Sequence, residues 1–247
     1  MDYSNGGVFD LKKTISAILS QPGKNSVFDQ LIIEMENYFS RPANSSAELR
    51  ERENMRKKGD VWENFCREWL LAKGEYLYVW LWKDLPEQVR QDCNLNFKQD
   101  NGIDLVAYNT NGFSAIQCKY RQKKGNLEWK QLSTFMGLCS ITGPWYQHIV
   151  MTNCPSINRP VQKGPKDKSI CSQSFRGASR ELWLKIAGIY QVNTIGNGGN
   201  NIQILPQKAP PLVFNFDHIN IANSVVNNNG NNIDVKHLRE LRLKKFC

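Results

Sequence analysis

Apolar residues in this chain change from helical to strand-like spacing as the sequence proceeds. They recur every three or four positions over residues 28–39, after a capping box that begins at Ser26, and this predicts an amphipathic helix. Residues 60–73 show the same spacing, and Gly74 is placed to end a second helix. Residues 76–82 are aromatic and apolar almost without interruption, which is typical of a buried strand.

Two further apolar segments, residues 103–108 and 113–120, are separated by the Asn-Thr-Asn-Gly sequence of residues 109–112. Asn and Gly tolerate positive φ, so this arrangement predicts a β-hairpin. A helix around residues 127–139 and a strand at 146–152 are predicted to follow. The order of elements over this part of the chain is therefore helix, strand, strand, strand, helix, strand.

The sequence outside this part predicts extensions rather than a second repeat of the pattern. Residues 1–58 are expected to form a helical N-terminal extension, in which the charged stretch 48–58 is either helix or solvated connector. Residues 59–190 would hold the core and a following helix at 173–187. Residues 191–247 form an Asn- and Pro-rich C-terminal extension, with loops expected at the Asn runs and a basic helix from Asp234 to Lys245.

Composition narrows the class of protein. In 247 residues, 40% hydrophobic content allows a sizeable core, and a formal charge of +9 favours a polyanionic partner such as nucleic acid. No apolar run approaches the roughly 18 to 20 residues of a membrane span, and the N-terminus shows no secretory signal. The seven cysteines form no CxxC pair, which indicates reduced thiols and predicts a cytoplasmic or nuclear location.

Three polar residues on the predicted hairpin are candidate catalytic residues. Gln117 and Lys119 are two positions apart, so their side chains leave the same face of a strand. A two-residue turn within residues 109–112 pairs Asp104 with either Gln117 or Lys119, and both registers place Asp104 on that face. A three-residue turn would break this parity, so the prediction depends on the turn length.

An acid, an amide and a lysine at the end of a hairpin suit phosphodiester hydrolysis. Asp104 would bind a hard divalent cation, with the Gln117 amide and the backbone carbonyl of Cys118 as neutral oxygen ligands. The cation would polarise the scissile phosphate and lower the pKa of the attacking water. Lys119 would orient that water or offset charge in the transition state.

Glu63, on the predicted helix at residues 60–73, is the candidate for a second carboxylate ligand. Asp104 alone would give Mg²⁺ only one negatively charged ligand, which favours a second carboxylate from Glu63. A capping box from Asp60 to Glu63 is the competing explanation for this glutamate.

The segment GIDLVAYNTNGFSAIQCKYR (residues 102–121) resembles the core motif of the PD-(D/E)XK nucleases. It is most similar to the Mrr-like branch, in which glutamine replaces the second acid and the motif reads Asp, then Gln-x-Lys. The segment GDVWENFCREWL (residues 59–70) is similar to the first helix of that branch, with Glu63 at the position of its glutamate. The VWLW strand, the DLP that follows and the IVMT strand resemble nuclease domains fused to some superfamily 2 helicases and restriction enzymes. The chain has no helicase phosphate loop.

The resemblance implies an α/β restriction-endonuclease-like fold with an αβββαβ core, whose central mixed sheet is flanked by helices. It also implies an Mg²⁺-dependent nuclease in which Mn²⁺ can substitute, acting as an endonuclease on DNA, with RNA left open. Homodimers or association with a helicase would fit the same family. The basic residues that could hold phosphates are Arg121, Lys123, Lys124, Lys130, Arg176 and Arg180.

Two other functions stay open at this point. Gln117 in place of an acid is compatible with a nucleic-acid-binding module that keeps the fold without cutting. The basic surface also suits a DNA-recruiting subunit of a helicase or restriction-type complex.

Overall fold

A computed structural model describes residues 9–21, 23, 25–40, 45–49, 58–96, 102–122, 125–158, 164–189, 224–226 and 232–234. By their contacts the residues group into two compact units, Met1–Gln207 and Lys208–Cys247. The candidate catalytic residues all belong to the first unit.

Among the described residues, three helices of ten residues or more precede the first strand of the first unit. They are α1 (Leu11–Ser20), α2 (Val27–Ser40) and α3 (Lys58–Lys73). The predicted cap of α2 is confirmed, because the Ser26 hydroxyl oxygen accepts a hydrogen bond from the Asp29 N–H at 3.1 Å. Gly74 ends α3 with a φ of +72°, as its position in the sequence predicts.

A five-stranded mixed sheet forms the centre of this unit. Its strands lie in the order β1, β2, β3, β5, β7; the first three are antiparallel, whereas β3, β5 and β7 are parallel. The bounds are β1 (Tyr78–Leu81), β2 (Leu105–Asn109), β3 (Gly112–Lys119), β5 (Gln147–Thr152) and β7 (Asp167–Ile170). Two short strands, β4 (Leu127–Glu128) and β6 (Ile157–Asn158), pair separately in parallel.

Shorter helices connect and follow these strands. They are α4 (Glu87–Asp92), α5 (Ser133–Ile141), α6 (Ser172–Arg176) and α7 (Arg180–Ile186). Single 3₁₀ turns lie at Trp82–Asp84 and Trp129–Leu132. No described helix is both long and apolar enough to cross a membrane.

The predicted element order is confirmed, with three corrections. The helix expected at 127–139 begins at Ser133, because residues 127–128 pair with β6 and a 3₁₀ turn intervenes. The helix expected at 173–187 is two helices, since the chain turns at Gly177 after α6. Strand β7 was not predicted: its sequence, DKSI, has only one apolar side chain.

One hydrophobic core lies between a face of the sheet and the helices that pack on that face. Helix α3 packs on β1 and β3, and its aromatic residues continue into a cluster that also contains residues of α1, α2, α6 and α7. Phe28 of α2 stacks on Phe175 of α6 with ring centroids 5.0 Å apart, and Trp62 of α3 contacts both rings. The N-terminal helices therefore share one core with the sheet. Five tryptophans of this unit are buried: Trp62, Trp69, Trp80, Trp82 and Trp183.

In the second unit, the described residues form an antiparallel hairpin. Strand β8 (Ser224–Val226) pairs with β9 (Asn232–Asp234). The basic helix predicted from Asp234 is wrong at its first residue, because Asp234 pairs with Ser224 in this hairpin. Residues 235–245, most of both Asn runs, and Lys123 and Lys124 lie outside the described residues.

Candidate active site

The hairpin of β2 and β3 has the two-residue turn on which the predicted site depends. Asn109 pairs with Gly112, so Thr110 and Asn111 form the turn, and Leu105 pairs with Ile116. Continuing this register by one residue places Asp104 opposite Gln117, which is one of the two predicted alternatives. Asp104, Gln117 and Lys119 therefore lie on one face of the sheet, because side chains alternate along a strand.

Asp104 is fixed from three directions at the start of β2. Its N–H donates to the Ile116 carbonyl at 2.9 Å, and its own carbonyl accepts from the Trp82 N–H at 2.9 Å. Its carboxylate oxygen Oδ2 accepts from the Cys118 N–H at 2.5 Å. The side chain is buried, so the carboxylate is held at the C-terminal end of β3 with little conformational freedom.

Gln117 carries a polar atom that the fold leaves unsatisfied. Its side chain is 2% exposed, and its Oε1 has no hydrogen-bond partner among the described residues. A buried acceptor without a partner costs about 1–3 kcal/mol, so such atoms call for an explanation. An amide oxygen beside a fixed carboxylate is a suitable ligand for a hard cation.

Gly102 makes room for this amide. It has a φ of +116°, and a Cβ atom there would lie 3.2 Å from Nε2 of Gln117. Sequence reasoning did not single out this residue, although a glycine two positions before a candidate catalytic acid is a signal for close approach of the backbone.

Lys119 ends β3 and lies beside Thr152, the last residue of β5. Its side chain is half-buried, whereas Thr152 is fully buried. The lysine therefore follows Gln117 along the same face and lies at the end of the strand.

Glu63 lies on α3, which begins at Lys58. Asp60 is consequently inside the helix, where its carbonyl accepts from Nδ2 of Asn64 at 2.7 Å. The capping box that competed with a site role for Glu63 is therefore wrong. Glu68, further along the same helix, pairs with Lys12 of α1 at 3.3 Å and with Arg67 at 2.7 Å.

Two buried thiols lie where α3, the helix that carries Glu63, packs on the hairpin. Cys66, one turn after Glu63, and Cys118 are hydrogen-bonded to each other. Burial is the main cause of the raised pKa of both thiols, and the charges of Asp104 and Glu63 raise it further. The charges of both carboxylates therefore act on the same pair of thiols, and both thiols stay protonated at neutral pH.

The oxygen atoms at this end of β3 fit a hard divalent cation. Because the N–H and C=O of one residue point to the same edge of a strand, the Cys118 carbonyl faces the side on which its N–H meets Asp104. With the Asp104 and Glu63 carboxylates and the Gln117 amide, it would complete the set of oxygen donors predicted from the sequence. Within the described ranges, no group of three His, Cys, Asp or Glu residues could hold a metal. The set therefore depends on the amide and the backbone carbonyl as well as on the acids.

The basic candidates differ in their surroundings. Arg121 follows the hairpin with an exposed side chain; its backbone N–H and carbonyl each bond to the Asn153 amide at 2.8 Å. Lys130 is exposed on the nearby 3₁₀ turn. Arg176 forms an ion pair with Asp29 at 2.9 Å, and Arg180 donates to the Leu19 carbonyl at 3.1 Å. These two arginines already hold helices together, and their contact with nucleic acid stays a prediction.

The comparison with protein families supplies the deciding observation. Residues 68–177 match a family model described as a restriction endonuclease. This region has a restriction-endonuclease-like fold. The match supports the PD-(D/E)XK superfamily and its Mrr-like branch, which the hairpin motif predicted, and it agrees with the mixed sheet flanked by helices.

The match to the restriction-endonuclease model spans a little under half of the chain. It includes Asp104, Gln117 and Lys119 and begins after Glu63. It suggests nuclease activity, and a nuclease domain implies a nucleic-acid substrate. PD-(D/E)XK nucleases generally use divalent metal ions.

Other comparisons add little to this assignment. No curated protein gives a significant match to the sequence. Among solved structures, the crystal structure of AF1548, a protein of unknown function, aligns with 55% of this chain and 72% of its own, at 13% identity and a TM-score of 0.30. A likeness at that TM-score carries no argument about fold or function.

Proposed function

We propose that this restriction-endonuclease-like protein is an Mg²⁺-dependent endonuclease that cuts DNA, and that Mn²⁺ can replace Mg²⁺. The observation that carries the proposal is the buried Gln117 Oε1, which lacks a hydrogen-bond partner among the described residues, beside the fixed carboxylate of Asp104. A cation would satisfy this atom. The Gln-x-Lys form of the motif then supplies both a ligand and a lysine.

The residues of the candidate site would have different roles in the reaction. Asp104, Glu63, Gln117 and the Cys118 carbonyl would hold the cation, which when bound would polarise the scissile phosphate and activate the attacking water. Lys119 would donate a hydrogen bond that orients this water, or would stabilise negative charge on the phosphate. The hydrogen bonds that fix Asp104 mean that little reorganisation is needed before reaction.

DNA would be held mainly through its phosphates. The net charge of +9 supports such a partner, and the exposed Arg121 and Lys130 are the basic side chains best placed to contribute. The same loop supplies two further candidates, Lys123 and Lys124. Arg176 and Arg180 would contact phosphates only with the N–H groups that are not used in their bonds to Asp29 and to the Leu19 carbonyl. We assign this activity to residues 59–190, with 1–58 and 191–247 as extensions. A homodimer or a helicase partner would add further contacts to DNA.

A second candidate function is a module that binds nucleic acid without cutting it. It is favoured by one feature, the single carboxylate of the hairpin motif, where the amide of Gln117 stands in place of an acid. In that case the Gln117 amide would be a structural group only. A DNA-recruiting subunit of a larger complex would behave in the same way in a cleavage assay.

Asp104→Ala separates these functions when binding and cutting are measured on the same preparation. Binding of a labelled DNA duplex is measured in chelator, and cleavage is measured after adding Mg²⁺ or Mn²⁺. The nuclease is expected to lose cleavage on this substitution while its affinity in chelator stays unchanged. Binding by the unsubstituted chain without cleavage in either metal would support the non-cutting module. Absence of DNA binding would contradict both candidates.

A further inference from the structure

Glu36, on the N-terminal helix α2, contacts two elements of the candidate site at once. One of its carboxylate oxygens accepts a hydrogen bond from the Tyr120 hydroxyl, and the other forms an ion pair with Lys58. The Glu36 side chain is 28% exposed and that of Lys58 is 19% exposed. Solvent therefore screens this pair less than it screens an ion pair on the open surface.

Tyr120 directly follows Lys119 at the end of β3. Its ring packs edge-on against Trp62, with centroids 5.9 Å apart, and Trp62 directly precedes Glu63. Burial, and then the hydrogen bond to Glu36, raise the pKa of Tyr120, so its hydroxyl stays a donor. The Tyr120 ring therefore lies next to Lys119 in the chain and contacts Trp62, the residue that precedes Glu63.

Lys58 is the first residue of α3, and Glu63 lies little more than one turn further along the same helix. Its ion pair with Glu36 holds the N-terminal end of α3 against α2. The Glu36 carboxylate thus ties the end of the strand that carries Lys119 to the start of the helix that carries Glu63.

We propose that Glu36 is a positioning residue for the nuclease reaction, which sets Lys119 and Glu63 relative to each other through Tyr120 and Lys58. The inference rests on the proposed function. Glu36 does not touch substrate in this scheme. The N-terminal helix α2 would then be part of the catalytic apparatus, although the sequence presents it as an extension and the match to the restriction-endonuclease model begins at residue 68.

The test compares Glu36→Leu, which removes both contacts, with Tyr120→Phe, which keeps the ring against Trp62 and removes only the hydroxyl. Glu34→Gln is the matched control, because it removes the charge of another half-buried glutamate on the same helix. Single-turnover cleavage of DNA is measured with saturating Mn²⁺, together with DNA affinity in chelator. Substitution of a group that orients a metal-site residue typically costs about 10–100-fold in activity, and we expect a loss in this range for Glu36→Leu.

Three features distinguish positioning from a general structural role. DNA affinity in chelator should stay unchanged. The double variant Glu36→Leu with Tyr120→Phe should lose no more activity than Glu36→Leu alone, because both changes break one network. Hydrogen exchange should increase at residues 58–63 and 118–121. It should stay unchanged at α4 (Glu87–Asp92), whose residues lie outside the core cluster that contains Trp62.

The outcomes are distinct for the two proposals. An unsubstituted chain that cuts DNA, with a Glu36→Leu variant that cuts equally fast, would overturn the positioning role and leave the nuclease standing. Faster exchange throughout the domain, with activity lost in proportion to unfolded protein, would also overturn it. An unsubstituted chain that cuts nothing in either metal would overturn the proposed function and this inference with it.

Discussion

Gln117→Met should make the metal-free protein more stable and abolish its cutting of DNA. Methionine has nearly the same length and shape as glutamine but carries no amide, and it adapts well to buried sites. In the metal-free protein the Gln117 Oε1 is buried without a hydrogen-bond partner among the described residues. The substitution removes that unsatisfied acceptor and a candidate metal ligand together.

The size of the stabilisation follows from two opposing contributions. Removing a buried unsatisfied oxygen gains about 1–3 kcal/mol, and loss of any bond made by Nε2 costs about 0.5–1.5 kcal/mol. The expected net gain in the free energy of unfolding is about 1 kcal/mol, which corresponds to roughly 2–4 °C in Tm for a domain of this size.

Metal should reverse the order of stability. The unsubstituted protein should gain about 2.7 kcal/mol when the free metal concentration is a hundred times the Kd, because only the folded state holds the site. Gln117→Met should gain much less. The assay is thermal unfolding in chelator and in Mn²⁺, with plasmid cleavage on the same samples. A Gln117→Met variant that is destabilised in chelator, or that cuts DNA at the unsubstituted rate, would refute the reasoning.

Gln117→Glu is the matched comparison, since it restores an acid at this position. Two carboxylates at one buried site repel each other, so this variant should be less stable than the unsubstituted protein in chelator. It should recover stability on adding metal and should still cut DNA. Failure of metal to stabilise it would count against a cation at this position.

Three further predictions concern the surroundings of the site. Gly102→Ala should lower the free energy of unfolding in urea by about 1–3 kcal/mol, because the φ of this residue is +116° and the new Cβ meets the Gln117 amide. The same substitution should slow cleavage of DNA. Gly137→Ala, where a Cβ meets no atom within 4 Å, should neither destabilise the protein nor slow cleavage. Burial raises the pKa of Cys66 and Cys118 above 9.0, so the folded state keeps both protons where the unfolded chain releases them. The free energy of unfolding should therefore fall above about pH 9 by about 1.4 kcal/mol per pH unit for each thiol; an equally steep fall in Cys66→Ala would contradict this. Arg121→Ala should reduce the salt dependence of DNA binding by about 0.9 in the slope of log K against log salt, and an unchanged slope would exclude a phosphate contact there.

The hairpin and its register were predictable because they depend on local sequence. Asn and Gly at residues 109–112 specify a tight turn, and the two-residue spacing of Gln117 and Lys119 fixes their common face. Only the choice between two registers needed the structure. The helix that carries Glu63 was predictable in the same way, from apolar spacing and Gly74.

Features that depend on distant contacts were not predictable. Strand β7 lies at an edge of the sheet, where three of its four residues are only partly buried, so polar side chains are tolerated and no apolar alternation marks it. Glu36 looks like an ordinary helix residue in the sequence, since its partners Lys58 and Tyr120 lie 22 and 84 residues away. The exclusion of the capping box at Asp60 also needed the structure, because α3 starts two residues earlier than its apolar pattern.

The central claim is metal-dependent DNA cleavage at the end of β3, and nicking of supercoiled plasmid tests it most directly. The purified full chain is incubated with plasmid in Mg²⁺, in Mn²⁺ or in chelator, beside Lys119→Ala and Asp104→Ala. Nicked or linear product in either metal, absent in chelator and abolished by both substitutions, is the predicted result. Plasmid that stays supercoiled in both metals, or cleavage that survives both substitutions, would contradict the claim.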